Sequence, residues 1–136
     1  MSVSWRMMTV PGVGPLVALT FKSAVDDPHR FPRSKSVGAH FGMTPRKYQS
    51  GETDVTGGIS RVGDAAVRTA LYQAAHILLS EAVPYSSLKV WAMQVAKRRG
   101  MKRAKVACAR KLATILHRMW IDESDFRWGK ETVAAV

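Results

Sequence analysis

Cysteine occurs once in the 136 residues, at Cys108, so no internal disulfide can form and the bridge-stapled scaffolds of small secreted domains are excluded. Cys108 falls in a helical pattern among Val106, Ala107 and Leu112, where a buried thiol acts as a small apolar residue. No apolar run reaches the ~18 residues that a membrane helix needs. The opening Met1-Ser2-Val3-Ser4-Trp5-Arg6 leads into no signal-like apolar block. A soluble protein of a reducing cytoplasm is expected, with no membrane partner. The histidines His29, His40, His76 and His117 form no i, i+4 pair and have no cysteine beside them, so zinc spacing is absent. Glycine and proline are scattered rather than tandem, which excludes collagen-like and low-complexity classes.

Acids are scarce. Ten Asp and Glu stand against 21 Lys and Arg, a formal charge of +11, and an excess of that size on a small chain suggests a polyanionic partner. The distribution says more than the total. From Ala82 to Ile121 there is no acid, while the same stretch carries Lys89, Lys97, Arg98, Arg99, Lys102, Arg103, Lys105, Arg110, Lys111 and Arg118. An unbroken basic block on helical elements is the electrostatic footprint of binding to a phosphate backbone. The only clustered acids, Asp26/Asp27 and Asp122/Glu123/Asp125, are too few for a two-metal centre. No metal or other cofactor is expected in this chain.

What is present suits one mainly α domain. Apolar residues make up 46%, enough for a single core and too little chain for a second. Pro11-Gly12-Val13-Gly14-Pro15 leads into a helix over Leu16 to Phe21. Ser34 is placed to cap a short helix over Lys35 to Phe41 that ends at Gly42. Residues Met43 to Gly63 have no helical period and read as a long irregular loop, the kind of segment in which function concentrates. Three helices follow. The first starts at Gly63-Asp64 and runs to about Ala82, with Val67, Leu71, Ala74 and Leu78 in one stripe and Ala70, Ala75 and Ile77 beside it. The second spans Tyr85 to Arg99, with Leu88, Trp91, Ala92 and Val95 buried and Gly100 just past its end. The third begins near Lys102. Cys108, Leu112, Ile115, Leu116 and Met119 share its packed face, and Arg103, Arg110, Lys111 and Arg118 share a basic one. The domain is expected over residues 7–122, with 123–136 a flexible tail.

Two segments carry candidate chemistry. The glycine turn with Gly12 and Gly14 resembles the hairpin of a helix-hairpin-helix module, where backbone N–H groups approach a phosphate; an ordinary glycine turn fits the same residues. In the loop, Gln49-Ser50-Gly51 lies near Arg46, Lys47 and Arg61 in sequence. A serine beside glycine is accessible, and basic neighbours stabilise charge on an attacked phosphate, but serine needs a base or metal to become nucleophilic. On spacing alone, a turn-capping Ser50 is the simpler reading. Trp5, Trp91, Trp120 and Trp128 read as core or tail packing rather than as base-stacking platforms.

Taken in order, Thr9-Val10-Pro11-Gly12-Val13-Gly14-Pro15-Leu16, Arg30-Phe31-Pro32, Val37-Gly38-Ala39-His40-Phe41-Gly42-Met43-Thr44-Pro45-Arg46, Gln49-Ser50-Gly51, Gly58-Ile59-Ser60-Arg61-Val62-Gly63-Asp64, Val67-Arg68 and Ala104 to Leu112 resemble a known family. It is the insertion-sequence transposases of the IS one-ten type, also called the one-sixteen or nine-oh-two type, and the resemblance is to their C-terminal transposase domain over roughly residues 7 to 120. The resemblance implies that Ser50 is the recombination nucleophile, forming a phosphoserine link to a DNA end. It also implies an N-terminal, resolvase-like domain whose four acids hold magnesium, a domain that this sequence does not contain, and assembly of the complete protein as a homo-oligomer on a structured guide RNA. The sequence departs from the pattern at Glu52, where Gly or a basic residue is common, and at Val62, where a basic residue is common. Both departures lower the positive charge beside Ser50.

The expected role is DNA transposition. Ser50 attacks a phosphodiester, Arg46, Lys47, Arg61 and Arg68 neutralise it, and Lys97, Arg98, Arg99, Lys102, Arg103, Lys105, Arg110 and Lys111 hold nucleic-acid backbone. This chain alone is expected to be inactive. The alternatives are a non-catalytic nucleic-acid-binding module, in which Ser50 is a turn residue, and a truncated, inactive transposase remnant.

Overall fold

The computed structural model describes residues 2–43, 58–80 and 83–128, with side chains of the fourth helix described from Asp64 onward. Among them are six α-helices and no strand: α1 (Val3–Met7), α2 (Pro15–Val25), α3 (Lys35–His40), α4 (Gly58–Leu78), α5 (Ser87–Arg99) and α6 (Met101–Asp122), with one 3-10 turn at Pro28–Arg30. The mainly α class is as expected.

Local chemistry accounts for most of the boundaries. Pro15 occupies the first turn of α2, where its missing N–H would have been an orphan in any case. Ala18, Phe21 and Val25, spaced three and four apart, are the buried stripe of that helix. Ser86 caps α5 by accepting the N–H of Lys89 at 3.1 Å. Gly100 ends α5 and opens α6 with φ +95, a left-handed value that strains any residue with a Cβ. The chain therefore turns from α5 directly into α6.

Helix α6 is the centre of the molecule. It packs against α5, α4, α3, α1 and the 3-10 turn. This corrects the expectation of one packed and one basic face. Leu112, Ala113, Thr114, Ile115, Leu116 and His117 are all buried, and six consecutive residues at 3.6 per turn sweep more than a full circle. Over that stretch α6 has no free face at all. Cys108 is fully buried among these residues, and burial pushes its thiol pKa up to about 12, so it behaves as the small apolar residue its setting predicts.

Other boundaries differ from expectation. Helix α4 begins at Gly58, through what reads as loop, and ends at Leu78; Ile77 is exposed rather than part of its packed stripe. Helix α1, in a segment to which sequence alone assigns no element, is capped by Ser2, whose Oγ accepts the N–H of Trp5 at 3.3 Å. Ser34 does not cap α3. Its hydroxyl meets His117 Nδ1 at 2.8 Å, while His117 Nε2 lies 2.8 Å from the Pro28 carbonyl. A carbonyl only accepts, so Nε2 carries the hydrogen and Ser34 donates to Nδ1 in that tautomer. Of the expected tail, residues 123–128 are described and anchored. Glu123 adopts the αL conformation, the Ser124 N–H donates to the Met119 carbonyl at 3.1 Å, and Phe126 is buried with its N–H donating to Thr9 Oγ1 at 2.9 Å. Residues 129–136 lie outside the described residues.

Lys89 belongs to the core rather than to the basic surface. It is 3% exposed, and its Nζ donates to the carbonyls of Ser80 and Val83, both at 2.6 Å, with the Tyr85 ring 5.1 Å away. The ammonium thereby ties the connection leaving α4 to the first turn of α5. Hydrogen bonds from a charged donor contribute about 1.5–3 kcal/mol each. Lys89→Met, which keeps the stem and removes the donor, should lower stability by about 3 kcal/mol, read as a fall in the denaturant midpoint with an unchanged m-value.

Candidate nucleic-acid interface

The expected basic block divides into three places. Lys97, Arg98, Arg99, Lys102 and Arg103 are exposed and flank Gly100 at the corner where α5 turns into α6. None of them forms an ion pair among the described residues, whose two pairs are Arg6–Asp125 at 3.4 Å and Arg118–Asp122 at 3.5 Å. Five unpaired cations packed into seven positions make a concentrated positive corner. Lys105 faces elsewhere, lining a depression with Thr69, Tyr72, Gln73, His76 and Ile77 between α4 and α6. Arg118 is spent on Asp122, one turn further along the same helix.

Arg110 and Lys111 occupy a third place, a cleft of about 350 Å³ between α3, α5 and α6, lined also by Lys35, Gly38, Trp91, Ala107 and Thr114. Lys111 Nζ lies 5.0 Å from the centre of the Trp91 ring, a cation–π distance. Arg110 Nε is buried without a hydrogen-bond partner among the described residues. Helix α3 passes close over this arginine: a Cβ on Gly38 would stand 3.5 Å from Arg110 Cγ. Lys111 has its pKa lowered, first by burial and then by the like charges of Lys35 and Arg110. Sequence reasoning passed over Lys35 and assigned Trp91 to the buried stripe of α5. The legible signal was local, since Lys35 and Gly38 are three apart on one helix and share a face.

At the glycine turn, Gly12 and Gly14 serve different ends. Gly12 has φ +92, and a Cβ there would meet the Ala74 carbonyl oxygen of α4 at 2.6 Å; packing against a helix backbone demands glycine at this position. Gly14 is the N-cap of α2 and has open space around its Cβ position. Arg68, half-buried on α4, donates from Nη1 to the Phe41 carbonyl at 3.0 Å, so one of its donors holds the C-terminal end of α3. Ser50, Arg46 and Lys47 lie outside the described residues, as does the side chain of Arg61. Among the described residues no group of three His, Cys, Asp or Glu side chains is placed to hold a metal ion, and no helix is long and apolar enough to cross a membrane.

Residues 5–92, from α1 to the middle of α5, match the Transposase IS116/IS110/IS902 family. The chain is 38% identical over 125 residues to the transposase for insertion sequence element IS1111A of Coxiella burnetii, covering 91% of this chain and 34% of that protein. It is 31% identical over 112 residues to the transposase for insertion sequence element IS1328 of Yersinia enterocolitica, covering 81% and 33%, and 28% identical over 125 residues to a probable family 20 transposase of Pseudomonas aeruginosa, covering 91% and 37%. The chain thus spans about a third of the length of these relatives. Likeness extending from the glycine turn into the helical half shows that the chain belongs to the IS116/IS110/IS902 family of insertion-sequence transposases.

Proposed function

We propose that this chain is the nucleic-acid-binding part of a DNA transposase and that it supplies Ser50 as the nucleophile of strand transfer. The observation that carries the binding half is the α5–α6 corner, where Lys97, Arg98, Arg99, Lys102 and Arg103 stand exposed without a carboxylate partner among the described residues. Such an array neutralises consecutive phosphates and releases their counterions whatever the base sequence. The serine half rests on the family. Ser50 Oγ forms a bond to phosphorus as one phosphorus–oxygen bond of the strand breaks, and the departing deoxyribose hydroxyl takes a proton. Arg46, Lys47, Arg61 and Arg68 are proposed to offset the charge on the attacked phosphate. The base or metal that activates Ser50 is assigned to parts of the transposase outside this chain. DNA, a structured guide RNA and further copies of the transposase are the proposed partners.

Salt dependence tests the binding half. If the five corner cations each neutralise one phosphate, log K against log salt on duplex DNA should slope near −4.5, at about −0.9 per phosphate. Arg103→Ala should make the slope shallower by about one phosphate's worth and weaken all sequences alike. A salt-independent affinity, or no binding at low salt, would overturn the proposal.

A further inference from the structure

The cleft between α3, α5 and α6 has a composition that the exposed corner lacks. Three cations from two helices, Lys35 on α3 with Arg110 and Lys111 on α6, converge on one space whose remaining lining is Gly38, Trp91, Ala107 and Thr114. No acid lines it. Like charges gathered in partly desolvated surroundings disfavour one another, as the lowered Lys111 value registers, and the Trp91 ring, 5.0 Å from Lys111 Nζ, offsets only one of them. The buried Arg110 Nε is an unused donor among the described residues. Thr114 Oγ1, by contrast, already donates to the Arg110 carbonyl at 3.2 Å, so it forms floor rather than ligand. An anion is the chemical class that completes such a group. The aromatic side narrows the class, because Trp91 is only half-buried and adds an apolar, π-faced wall to the anion seat. The volume of about 350 Å³ falls among sites that hold small organic groups, about 300–1,000 Å³. That is room for a nucleotide unit and not for a duplex.

We propose that this cleft seats one backbone phosphate of an extended, single-stranded nucleic-acid segment on Lys35, Arg110 and Lys111, with the adjoining sugar or base against Trp91. The proposal deepens the nucleic-acid reading and rests on it. It assigns single strands to the cleft and leaves duplex to the corner. Aromatic contact of this kind tolerates any base, so the seat fixes the path of a strand without reading its sequence.

The test has two arms, both on the full chain. In the first, inorganic pyrophosphate is titrated at constant ionic strength and the melting temperature is followed, since a ligand that binds only the folded state raises it. The rise should be present in the wild type and in the corner variant Lys97→Gln/Arg98→Gln, and lost in Lys35→Gln/Lys111→Gln. In the second, anisotropy is measured with labelled 12-nucleotide oligo-dT, oligo-rU and a 12-base-pair duplex, the first two distinguishing DNA from RNA as the source of the strand. Lys35→Gln/Lys111→Gln should lose tenfold or more on a single strand, with the salt slope shallower by about 0.7, the value for the one phosphate seated. Trp91→Leu should lose at least fivefold with its slope unchanged. Both should stay within twofold of wild type on duplex. Equal losses on duplex and single strand, or a pyrophosphate effect that survives Lys35→Gln/Lys111→Gln, would overturn the seat. If the wild type binds no oligonucleotide at low salt, the nucleic-acid reading fails and this proposal with it, whereas failure of the seat alone leaves duplex binding intact. Lys35 is exposed, so Lys35→Gln decides the matter should Trp91→Leu not fold.

Discussion

Gly12→Ala should cost the fold at least about 3 kcal/mol, which for a domain of this size is a fall in melting temperature on the order of 10 °C. Two penalties act together. The backbone at residue 12 has φ +92, and a left-handed conformation costs an L-residue about 1–2 kcal/mol. The new methyl would also stand 2.6 Å from the Ala74 carbonyl oxygen, and the neighbours it strikes, Ala74 and the Leu78 nitrogen at 3.4 Å, are all helix backbone. Backbone cannot swing aside as a side chain can, so the turn has to lift away from α4, uncovering Val10 and Val13, both now buried. Gly14→Ala, two residues on, is the control. Its Cβ position is empty and its φ is −100, so the change should cost under about 1 kcal/mol through its weaker N-cap preference. Thermal melts of the two variants side by side check the contrast, and equal losses would mean that the turn does not sit against α4.

Ser50→Ala should abolish formation of a covalent protein–DNA adduct by a transposase that carries this segment together with the rest of its length. The change deletes one oxygen, the atom proposed to bond to phosphorus; in a serine hydrolase the equivalent deletion costs on the order of 10⁶ in rate. The measurement is a denaturing gel with labelled DNA ends, run beside binding assays of the same variant. Loss of adduct with affinity retained identifies Ser50 as the nucleophile. An adduct that persists assigns the chemistry elsewhere and leaves Ser50 the turn residue that its local spacing suggests.

The helices legible in the sequence are those whose ends carry their own chemistry. Gly14-Pro15 before α2, Pro84 and Ser86 before α5, and Gly100 between α5 and α6 each act through the residue's own backbone or a neighbour three places on. Helix α1 was invisible because five residues are too few to display a period. The start of α4 was hidden by Gly58 and Gly63, each a local cost of about 1 kcal/mol in a helix. The long buried stripe from Val67 to Leu78 holds the rest of that helix in place. What sequence cannot display is pairing across distance. Ser34 meets His117, 83 positions away, and so gives up its capping role. Lys89 reads as one more charge in a basic run until its two carbonyl acceptors are seen. The candidate site was half legible on the same ground: the corner cations are neighbours in sequence, whereas the cleft needs Lys35 and Lys111 to meet across 76 residues. The roles of Ser50, Arg46, Lys47 and Arg61 rest on the family resemblance and on charge.

The helix at the centre of this fold follows, in the chain, every other helix that packs on it. Contacts of α1, α3 and α4 with α6, and the hydrogen bond from the Phe126 N–H to Thr9 across 117 positions, close only after residues near 126 have left the ribosome. Until then α3 lacks the helix it packs on, and α4 has α2 against it but not α6. Pairings this distant in sequence slow folding and leave apolar surface open to capture by other chains. Synthesis interrupted anywhere before α6 therefore yields a polypeptide whose core lacks its centre, a target for proteolysis rather than a shorter version of the domain.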